Sequence, residues 1–489
     1  MIKQNIKSHW LLVLYLLFYF LIIANLIIFR PSPFYDWDEA IYAQVGREMI
    51  SSKSLVPLWQ GKYWLDKPPL TPLFYGAVGI LPGNPEITTR LATLSLSIFL
   101  LLLVYGLYYR LSKNKFIALA TVILTSLTTV FYQRSQVLNV DIFLLIGWYG
   151  YVLFYRKPKI SFIFLAIGVL SKSLLGFYPL IGIAVFYFIE SLFTSRDHSL
   201  RWIVLFYKKI KPLIIQTLII GLWYIIMILI FKYQFIQAHF LDSHLKRVTA
   251  SIEQHFGTRT FYFEMLFNQF VILIWLVIPS ILFLMKNNLN NKRLSVILLG
   301  FFFLPWFLFL NLTKTKIAWY IYSVIPQFAF LIVLWPDRLF LSTRKWKNHL
   351  GGGILLIIIL FFSYQQIVQN KLFSNRYSNY DDTYQISMIA KDKCQRIIVL
   401  VDKSTRESNK TLSDMDLVIG TTQWWGNHPS IVYYSARPVN FIYNINQFQR
   451  RIKNKDRKSC ILINHDDVNL IPNSKYQQLS INSTYLLLK

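Results

Sequence analysis

The sequence contains few charged residues for its length. Only 15% of its 489 residues are charged, whereas 55% are hydrophobic and 17% aromatic, and the mean hydropathy is +0.42. Soluble domains rarely have this composition, which excludes an ordinary water-soluble protein. Apolar runs long enough to cross a bilayer recur along most of the chain. We therefore expect an α-helical polytopic membrane protein.

Cysteine is also scarce. The two cysteines, Cys394 and Cys460, both follow the last long apolar run. Their number and position exclude a metal-finger motif and cysteine chemistry within the membrane.

Acidic residues are outnumbered by basic ones. The 23 Asp and Glu against 51 Lys and Arg give a formal net charge of +28, which could indicate a nucleic acid partner. The cations, however, lie mainly in short loops between apolar runs, a pattern that indicates membrane topology and no nucleic acid. The first apolar run lacks a signal-peptidase site, so we interpret it as a retained signal anchor with a cytoplasmic N-terminus.

The apolar runs predict about eleven to thirteen transmembrane helices. Candidate spans are Trp10 to Phe29, Leu91 to Tyr109, Phe116 to Tyr132, Leu138 to Tyr155, Ile160 to Leu170, Leu174 to Phe193, Pro212 to Phe231, Met265 to Met285, Leu294 to Leu312, Ile317 to Trp335 and Leu350 to Phe362. The stretch Pro68 to Leu81 is apolar but interrupted by prolines, which predicts a re-entrant or juxtamembrane helix.

Basic loops alternate with loops that carry few cations, and we assign the basic ones to the cytoplasm. This places the first outer loop, residues 30–90, and the C-terminal region outside the cytoplasm. We predict a transmembrane domain at 1–365 and a small extracytoplasmic α/β domain at 366–489. Runs of strand length in the latter are Ile397 to Val401, Ile431 to Tyr434, Cys460 to Ile463 and Tyr485 to Leu488, with a helix from Asn446 to Lys455.

The two cysteines flank predicted strands of this α/β domain. Cys394 precedes the strand Ile397 to Val401, and Cys460 begins the strand Cys460 to Ile463. If these strands are parallel neighbours, both cysteines lie at the same sheet edge and can form a disulfide. Two unpaired thiols in non-adjacent strands are the alternative.

The first outer loop concentrates carboxylates directly after the first span. Asp36, Asp38 and Glu39 precede a helix that Ile41, Val45 and Met49 predict by their spacing. Asp36 and Asp38 could simply cap this helix. An ionised carboxylate there could also take a proton from a hydroxyl nucleophile or hold a cation, and the two roles are compatible.

Other charged residues on the outer side allow two interpretations each. Asp66 and Lys67 precede two prolines and form either a surface ion pair or, through Lys67, a contact to a lipid phosphate. Asp141 either pairs with Arg134 or faces the interior of the helical bundle.

Three further outer segments contain candidate ligands. His244 could bind a divalent metal together with a carboxylate of the first loop, although a lone histidine is usually structural. Arg247 lies in the same loop. Lys316 and Tyr320 precede a span, where they could serve only as interface anchors.

The order of these residues resembles a known family. Asp38-Glu39, Tyr42-Ala43 and Arg47-Glu48-Met49, followed by Asp66-Lys67-Pro68-Pro69, resemble the first outer loop of bacterial membrane glycosyltransferases of the C-type superfamily. The aminoarabinose lipid A transferases and their protein O-mannosyltransferase relatives are the most similar group. The likeness continues through Asp141, Gly168 to Lys172, His244 to Arg247, His255 and Lys314 to Tyr320.

The resemblance implies a polyprenyl-phosphate sugar donor, a lipid, glycan or protein acceptor, and a multi-pass location among the lipids of the bacterial inner membrane. It implies catalytic roles for Asp38, with Glu39 and Asp141 as further candidates, and donor-phosphate binding by Lys67, Arg47, Arg247, Lys316 and Tyr320. It also implies a metal site of zinc, manganese or magnesium at Asp66 and His244, where relatives have glutamate at the first position. Ile41 replaces an arginine of the family, so that phosphate contact is either absent or supplied by Arg47, Arg247 or Lys316.

We therefore predict a membrane glycosyltransferase whose donor needs no nucleotide. A transporter or flippase of polyprenyl-linked lipids is the alternative from another class, although the polar residues do not recur in two matching halves as they commonly do in transporters. A receptor-like sensor ranks last, because the C-terminal domain has no recognisable ligand motif or Gly-rich phosphate loop.

Overall fold

A computed structural model describes residues 9–194, 201–249, 255–285, 297–336, 345–374, 383–414, 425–454, 456, 458–471, 476–482 and 484–489. Within these ranges, six helices are long and apolar enough to cross a membrane: Trp10–Phe29, Pro85–Ser112, Pro158–Thr194, Arg201–Leu245, Phe261–Leu282 and Trp346–Gln369. Shorter apolar helices are Leu70–Gly79, Lys115–Ser126, Asp141–Phe154 and Ile325–Leu334. The predicted α-helical polytopic membrane architecture is confirmed.

The chain divides into two compact units. The helical unit comprises Met1–Arg30, Arg90–Tyr233 and Gly257–Tyr377, and the mixed unit comprises Pro31–Thr89, Gln234–Phe256 and Ser378–Lys489. The contacts thus group the first outer loop with the C-terminal region, whereas the division predicted from composition is sequential. That sequential boundary, at 365 and 366, stays a prediction.

The described part of the helical unit consists mainly of apolar helices. Its α-helices are Trp10–Phe29, Pro85–Ser112, Lys115–Ser126, Thr129–Arg134, Asp141–Phe154, Pro158–Lys172, Tyr178–Thr194, Arg201–Phe235, Phe261–Phe270, Val277–Met285, Leu304–Leu312, Ile325–Leu334 and Lys345–Ser363. The first residues of Pro85–Ser112 and the last residues of Arg201–Phe235 are assigned to the mixed unit. Short 3-10 segments at Ser173–Phe177, Val271–Leu276 and Ala318–Ser323 and a π-helix at Tyr364–Gln369 complete it. Each predicted span overlaps helical structure.

The helix Ile325–Leu334 lies at the core of the helical unit. All ten of its residues are buried, as expected for a helix that is apolar on every face. Gly147 allows close packing of the helix Asp141–Phe154, because a Cβ there would lie 2.7 Å from the Cα of Gly168. The end of the helix Pro158–Lys172 lies beside the start of the helix Asp141–Phe154, where Lys172 contacts Asp141.

The mixed unit begins with two helices of the first outer loop. We call Asp38–Ser52 the loop helix; it packs on the helix Leu70–Gly79, which starts directly after Pro68 and Pro69. A Cβ on Gly46 would lie 2.4 Å from the carbonyl oxygen of Pro72. Glycine is therefore required where the two backbones meet. The two-stranded hairpin of β1 (Leu58–Trp59) and β2 (Lys62–Tyr63) connects them.

The C-terminal part of the mixed unit is an α/β domain, as predicted. Its strands are β3 (Arg396–Leu400), β4 (Val439–Ile442), β5 (Ser459–Asn464), β6 (Gln478–Ile481) and β7 (Tyr485–Leu488), in the order β4-β3-β5-β7-β6. The helices are Thr383–Lys393, Lys403–Asp414, Ser430–Ser435 and Ile445–Lys453, with a 3-10 segment at His465–Leu470. Before this domain the unit contains the π-helix Ile236–Leu245 and the helix Lys246–Thr249.

One strand prediction is wrong. Residues Ile431 to Tyr434 belong to the helix Ser430–Ser435, and the strand of this region is β4. A short apolar run fits a strand and one turn of buried helix equally well, so periodicity alone could not distinguish them.

The predicted disulfide is confirmed. Cys394 and Cys460 are bonded, with their Cα atoms 5.6 Å apart. The strands β3 and β5 are parallel neighbours, and Ile397 is paired with Cys460 in their register. The disulfide therefore connects the two strands at the end of the sheet where both begin, as expected if β3 and β5 are adjacent.

Candidate functional site

The loop helix begins with two acidic residues in its first turn. Asp38 is its first residue and is half-buried, while Glu39 is only 2% exposed. The Glu39 carboxylate accepts a hydrogen bond from the Tyr35 amide at 3.0 Å, which ties the first turn to the preceding chain. This contact favours a structural role for Glu39, and it leaves Asp38 as the more exposed carboxylate of the pair.

The Asp36 carboxylate contacts two residues that are far from it in the sequence. Its Oδ1 accepts the Ser430 amide at 2.8 Å, and its Oδ2 lies 2.9 Å from Nδ1 of His428. Both partners belong to the C-terminal domain. The preceding Phe34 amide also donates to the hydroxyl of Tyr434.

Sequence reasoning missed His428 and the polar chain beyond it. Nε2 of His428 contacts the Tyr485 hydroxyl, which donates to Asp402 Oδ2 at 2.7 Å. Burial acts to raise the pKa of the Asp402 carboxyl, but hydrogen bonds from His428 and Tyr485 outweigh it, so this pKa lies below its ordinary value. No sequence motif identifies His428. Only the structure shows that it lies close to Asp36 of the first loop.

Arg47, a predicted phosphate ligand, contacts the C-terminal domain. Its guanidinium lies 4.3 Å from the centre of the Tyr433 ring, and it donates to the Gln44 side chain. Burial lowers the pKa of this guanidinium below its ordinary value. These contacts favour a role in packing the loop helix against the domain.

Asp66 and Lys67 lie in the loop between β2 and the helix Leu70–Gly79, and both are half-buried. The adjacent Leu65 carbonyl lies 2.9 Å from Nδ1 of His239. Nδ1 of His244 in turn lies 2.6 Å from the His239 carbonyl, and the two imidazole rings are 5.5 Å apart. The predicted metal ligands thus belong to one unit.

The imidazole contacts bear on the predicted metal site. A metal-binding histidine commonly donates its second ring N–H to a backbone carbonyl, as the contact of His244 would allow. Within the ranges that the structure covers, however, no three His, Cys, Asp or Glu side chains are grouped as a metal site requires. A site of Asp66 and His244 therefore needs ligands from elsewhere. The side chain of Arg247, in the helix Lys246–Thr249, lies outside the described residues.

Asp141 is the centre of a buried charged cluster in the helical unit. It is 4% exposed and pairs with Arg134 at 3.2 Å and with Lys172. The ammonium of Lys172 lies 4.7 Å from the centre of the Tyr320 ring. The pairing with Arg134 that the sequence suggested is confirmed, and Lys172 is a second partner. Asp141 therefore lies between two cationic side chains, Arg134 and Lys172.

Lys316 also lies in the helical unit and is buried. Its Nζ donates to the carbonyls of Leu310 at 3.1 Å and Asn311 at 2.8 Å, at the end of the helix Leu304–Leu312. Such contacts satisfy carbonyls at a helix C-terminus, where a cation also complements the helix dipole. The geometry thus favours a helix-capping role for Lys316.

The sequence and the fold were compared with those of known proteins. No family model matches the chain. An uncharacterised protein of Aquifex aeolicus is 25% identical over 324 residues, which span 64% of this chain and 61% of that protein. The crystal structure of ArnT from Cupriavidus metallidurans bound to undecaprenyl phosphate superposes with a TM-score of 0.62 over 99% of this chain and 98% of ArnT.

The chain has the fold of ArnT. Sequence identity to ArnT is 14%, so the likeness concerns the fold. The Archaeoglobus fulgidus oligosaccharyltransferase in the apo form gives a TM-score of 0.54 at 13% identity, over 83% of this chain and 60% of that protein. The same enzyme in complex with zinc and sulfate gives 0.53. The resemblance to C-type membrane glycosyltransferases that the motif order predicted is confirmed as a likeness in fold.

Proposed function

We propose that this protein is an integral membrane glycosyltransferase that moves a sugar from a polyprenyl phosphate to a hydroxyl group of lipid A, another glycan or a protein. The observation that carries the proposal is the likeness to ArnT, which extends over 99% of this chain and includes a structure with bound undecaprenyl phosphate. The donor brings its sugar already attached to lipid, so the reaction needs no nucleotide.

Asp38 is the general base in this proposal. It takes the proton of the acceptor hydroxyl as that oxygen attacks the anomeric carbon. The bond from this carbon to the phosphate oxygen breaks in the same step, and the polyprenyl phosphate leaves with the bonding electron pair. Because attack is opposite the leaving group, the sugar configuration inverts. The half-buried position of Asp38 at the start of the loop helix supports this role.

Negative charge grows on the departing phosphate, so cations that bind it more strongly in the transition state accelerate transfer. Lys67 takes this role in the mixed unit. In the helical unit, Asp141 forms ion pairs with Lys172 and Arg134 and orients these two cations. We therefore assign Asp141 an orienting role and not a role in proton transfer. Tyr320 contacts the ammonium of Lys172 through its ring.

We also propose that the protein binds a metal ion, which is tested separately from the transfer reaction. Asp66 and His244 would hold zinc, manganese or magnesium, and the zinc in a structure of the similar oligosaccharyltransferase supports zinc first. The ion would polarise phosphate oxygens when bound. The step at Asp38 does not depend on it.

A transfer assay tests the function directly. We expect purified protein to transfer sugar from, or hydrolyse, a short-chain polyprenyl-phosphate sugar in detergent or vesicles. Asp38→Asn should abolish transfer while the protein folds normally, because the amide keeps the size of the side chain and loses its basicity.

The control for Asp38→Asn is Asp392→Asn, which removes an exposed carboxylate in the helix Thr383–Lys393. Transfer by Asp38→Asn within tenfold of the wild type would reject Asp38 as the base. Movement of the intact donor across vesicles without bond cleavage would instead favour a flippase.

We also propose the bacterial inner membrane as the location, with the N-terminus in the cytoplasm and the C-terminal domain outside it. The loop charges support this orientation.

A further inference from the structure

The backbone directly before Asp38 has a conformation that its residue does not favour. Trp37 has φ 67° and ψ −118°, the values of the first central residue of a type II′ turn, which glycine adopts readily. A bulky residue with positive φ persists only where surrounding contacts hold it. The indole is 40% exposed, so its own burial contributes little to this hold.

Hydrogen bonds fix the chain after Trp37. The Ile41 amide donates to the Trp37 carbonyl at 2.9 Å, and the Ala40 amide donates to the Tyr35 carbonyl at 3.1 Å. The contact from Tyr35 to Glu39 completes this set. The first turn of the loop helix is thus a compact unit, but these local bonds do not connect it to the rest of the protein.

Asp36 connects the chain before Trp37 to the C-terminal domain, in addition to the Phe34 amide, which donates to the Tyr434 hydroxyl. Both of its carboxylate oxygens contact the C-terminal domain, at Ser430 and His428, almost four hundred residues away in sequence. His428 is itself braced on its other side by Tyr485 and Asp402. A carboxylate with two directed contacts can move little, so residue 36 is fixed in position and direction.

We propose that Asp36 is a positioning residue, through which His428 and Ser430 of the C-terminal domain hold the turn at Trp37 and thereby aim Asp38. The proposal rests on the proposed function in one respect, the role of Asp38 as base. Loss of the contact lets Trp37 relax toward negative φ, which rotates the first turn of the loop helix. The C-terminal domain then contributes to the rate of transfer although it need not touch the substrate.

Enzyme kinetics tests the effect on transfer. Asp36→Ala and His428→Ala should each lower kcat by about 10- to 100-fold, the cost of a misplacement near 1 Å, with donor KM changed less than about threefold. Asp36→Asn keeps an oxygen for the Ser430 amide and should retain more activity than Asp36→Ala. His465→Ala is the matched control, because His465 contacts the Asn482 carbonyl within the same domain.

Hydrogen exchange measures the hold itself without depending on transfer. Amides of residues 38–45 should exchange faster in Asp36→Ala and His428→Ala, and at the wild-type rate in Asp38→Asn and His465→Ala. If Asp36→Ala does not fold, His428→Ala provides the same comparison, with retention of the disulfide as the criterion of folding.

The outcomes separate the two proposals. Unchanged exchange in both variants, or kcat within twofold of wild type while Asp38→Asn is inactive, overturns the positioning role and leaves the proposed function intact. If Asp38→Asn is active, Asp38 is not the base, and the proposal that Asp36 positions it for catalysis is overturned as well. Faster exchange together with a selective fall in kcat supports the proposal.

Discussion

Lys67 combines a full charge with a backbone that two following prolines restrict. If its ammonium binds the donor phosphate, Lys67→Ala should weaken binding of a short-chain polyprenyl phosphate by about 1.5 to 3 kcal/mol, the usual contribution of a hydrogen bond to a charged group. This corresponds to about a 10- to 150-fold rise in Kd. The measurement is a titration of purified protein in detergent.

Two variants control this titration. Lys67→Arg keeps the charge and should bind closer to wild type, and Lys62→Ala removes an exposed lysine of β2 and should bind like wild type. An unchanged Kd in Lys67→Ala would mean that the residue serves in a surface contact instead, such as one with Asp66.

The metal prediction concerns His244. We expect elemental analysis of purified protein to find zinc, manganese or magnesium, and His244→Ala to lose the metal because an imidazole ligand is removed. His465→Ala, a histidine of the C-terminal domain, should keep it. Wild-type protein that contains none of the three metals and stays active after treatment with a strong chelator would contradict the prediction.

At the scale of residues, the sequence indicates chemical types better than partners. The acidic residues of the first loop and the charge on Asp141 were evident, because unusual polar residues beside apolar spans are conspicuous. The partner of Asp36 was not evident, since His428 lies in another part of the chain and no local pattern connects them. Lys316 shows the converse, because its cation faces carbonyls of its own preceding helix.

At the scale of elements, most segments of the C-terminal domain were predictable, because the strand-length runs at Ile397, Cys460 and Tyr485 are observed as β3, β5 and β7. The helix predicted from Asn446 to Lys455 is observed as Ile445–Lys453, and its residues Phe448 and Ile452, one turn apart, are buried. The run at Ile431 failed because it is one turn long. Its helix begins where Asp36 accepts the Ser430 amide, a contact that no local sequence pattern contains.

The contact of the loop helix with the helix Leu70–Gly79 leads to a prediction at this scale. Gly46→Ala should destabilise the protein by about 1 to 3 kcal/mol, because the added methyl group meets the Pro72 carbonyl and cannot be accommodated by a side-chain movement. The midpoint of thermal unfolding in detergent measures it. Transfer activity should fall too, since Asp38 begins the displaced helix.

Gly221→Ala is the matched control. A Cβ at Gly221 meets no atom within 4 Å, and alanine is the better helix former by about 1 kcal/mol. Its unfolding midpoint should therefore equal or exceed that of the wild type. Equal midpoints for Gly46→Ala and wild type would show that the two helices can separate without cost.

At the scale of the whole molecule, we expect removal of the disulfide to lower the stability of the protein strongly. It joins residues 66 positions apart, and closing a loop of that length restricts the unfolded chain by about 4 kcal/mol in the entropic account. The variant with both Cys394→Ala and Cys460→Ala should therefore unfold at markedly lower temperature. Mass spectrometry of non-reduced peptides from wild-type protein should detect the bridged pair.

The same experiment bears on orientation. Disulfides persist outside the cytoplasm, and the proposed orientation puts the C-terminal domain there. Two free thiols in protein isolated from its native membrane would contradict the bridge and weigh against that orientation. Reduction before digestion should release the two peptides separately and provides the internal control.

The contact between Asp36 and His428 cannot form until the ribosome has synthesised residue 428. The ribosome adds 392 residues between them, which takes roughly 20 to 80 s at about 5 to 20 residues per second. Throughout that interval the start of the loop helix has emerged without the partner that holds it. A chain that terminates before His428 would contain every predicted catalytic and donor-binding residue and still lack the contact that we propose aims Asp38. On this proposal, transfer activity cannot appear before the ribosome has reached His428.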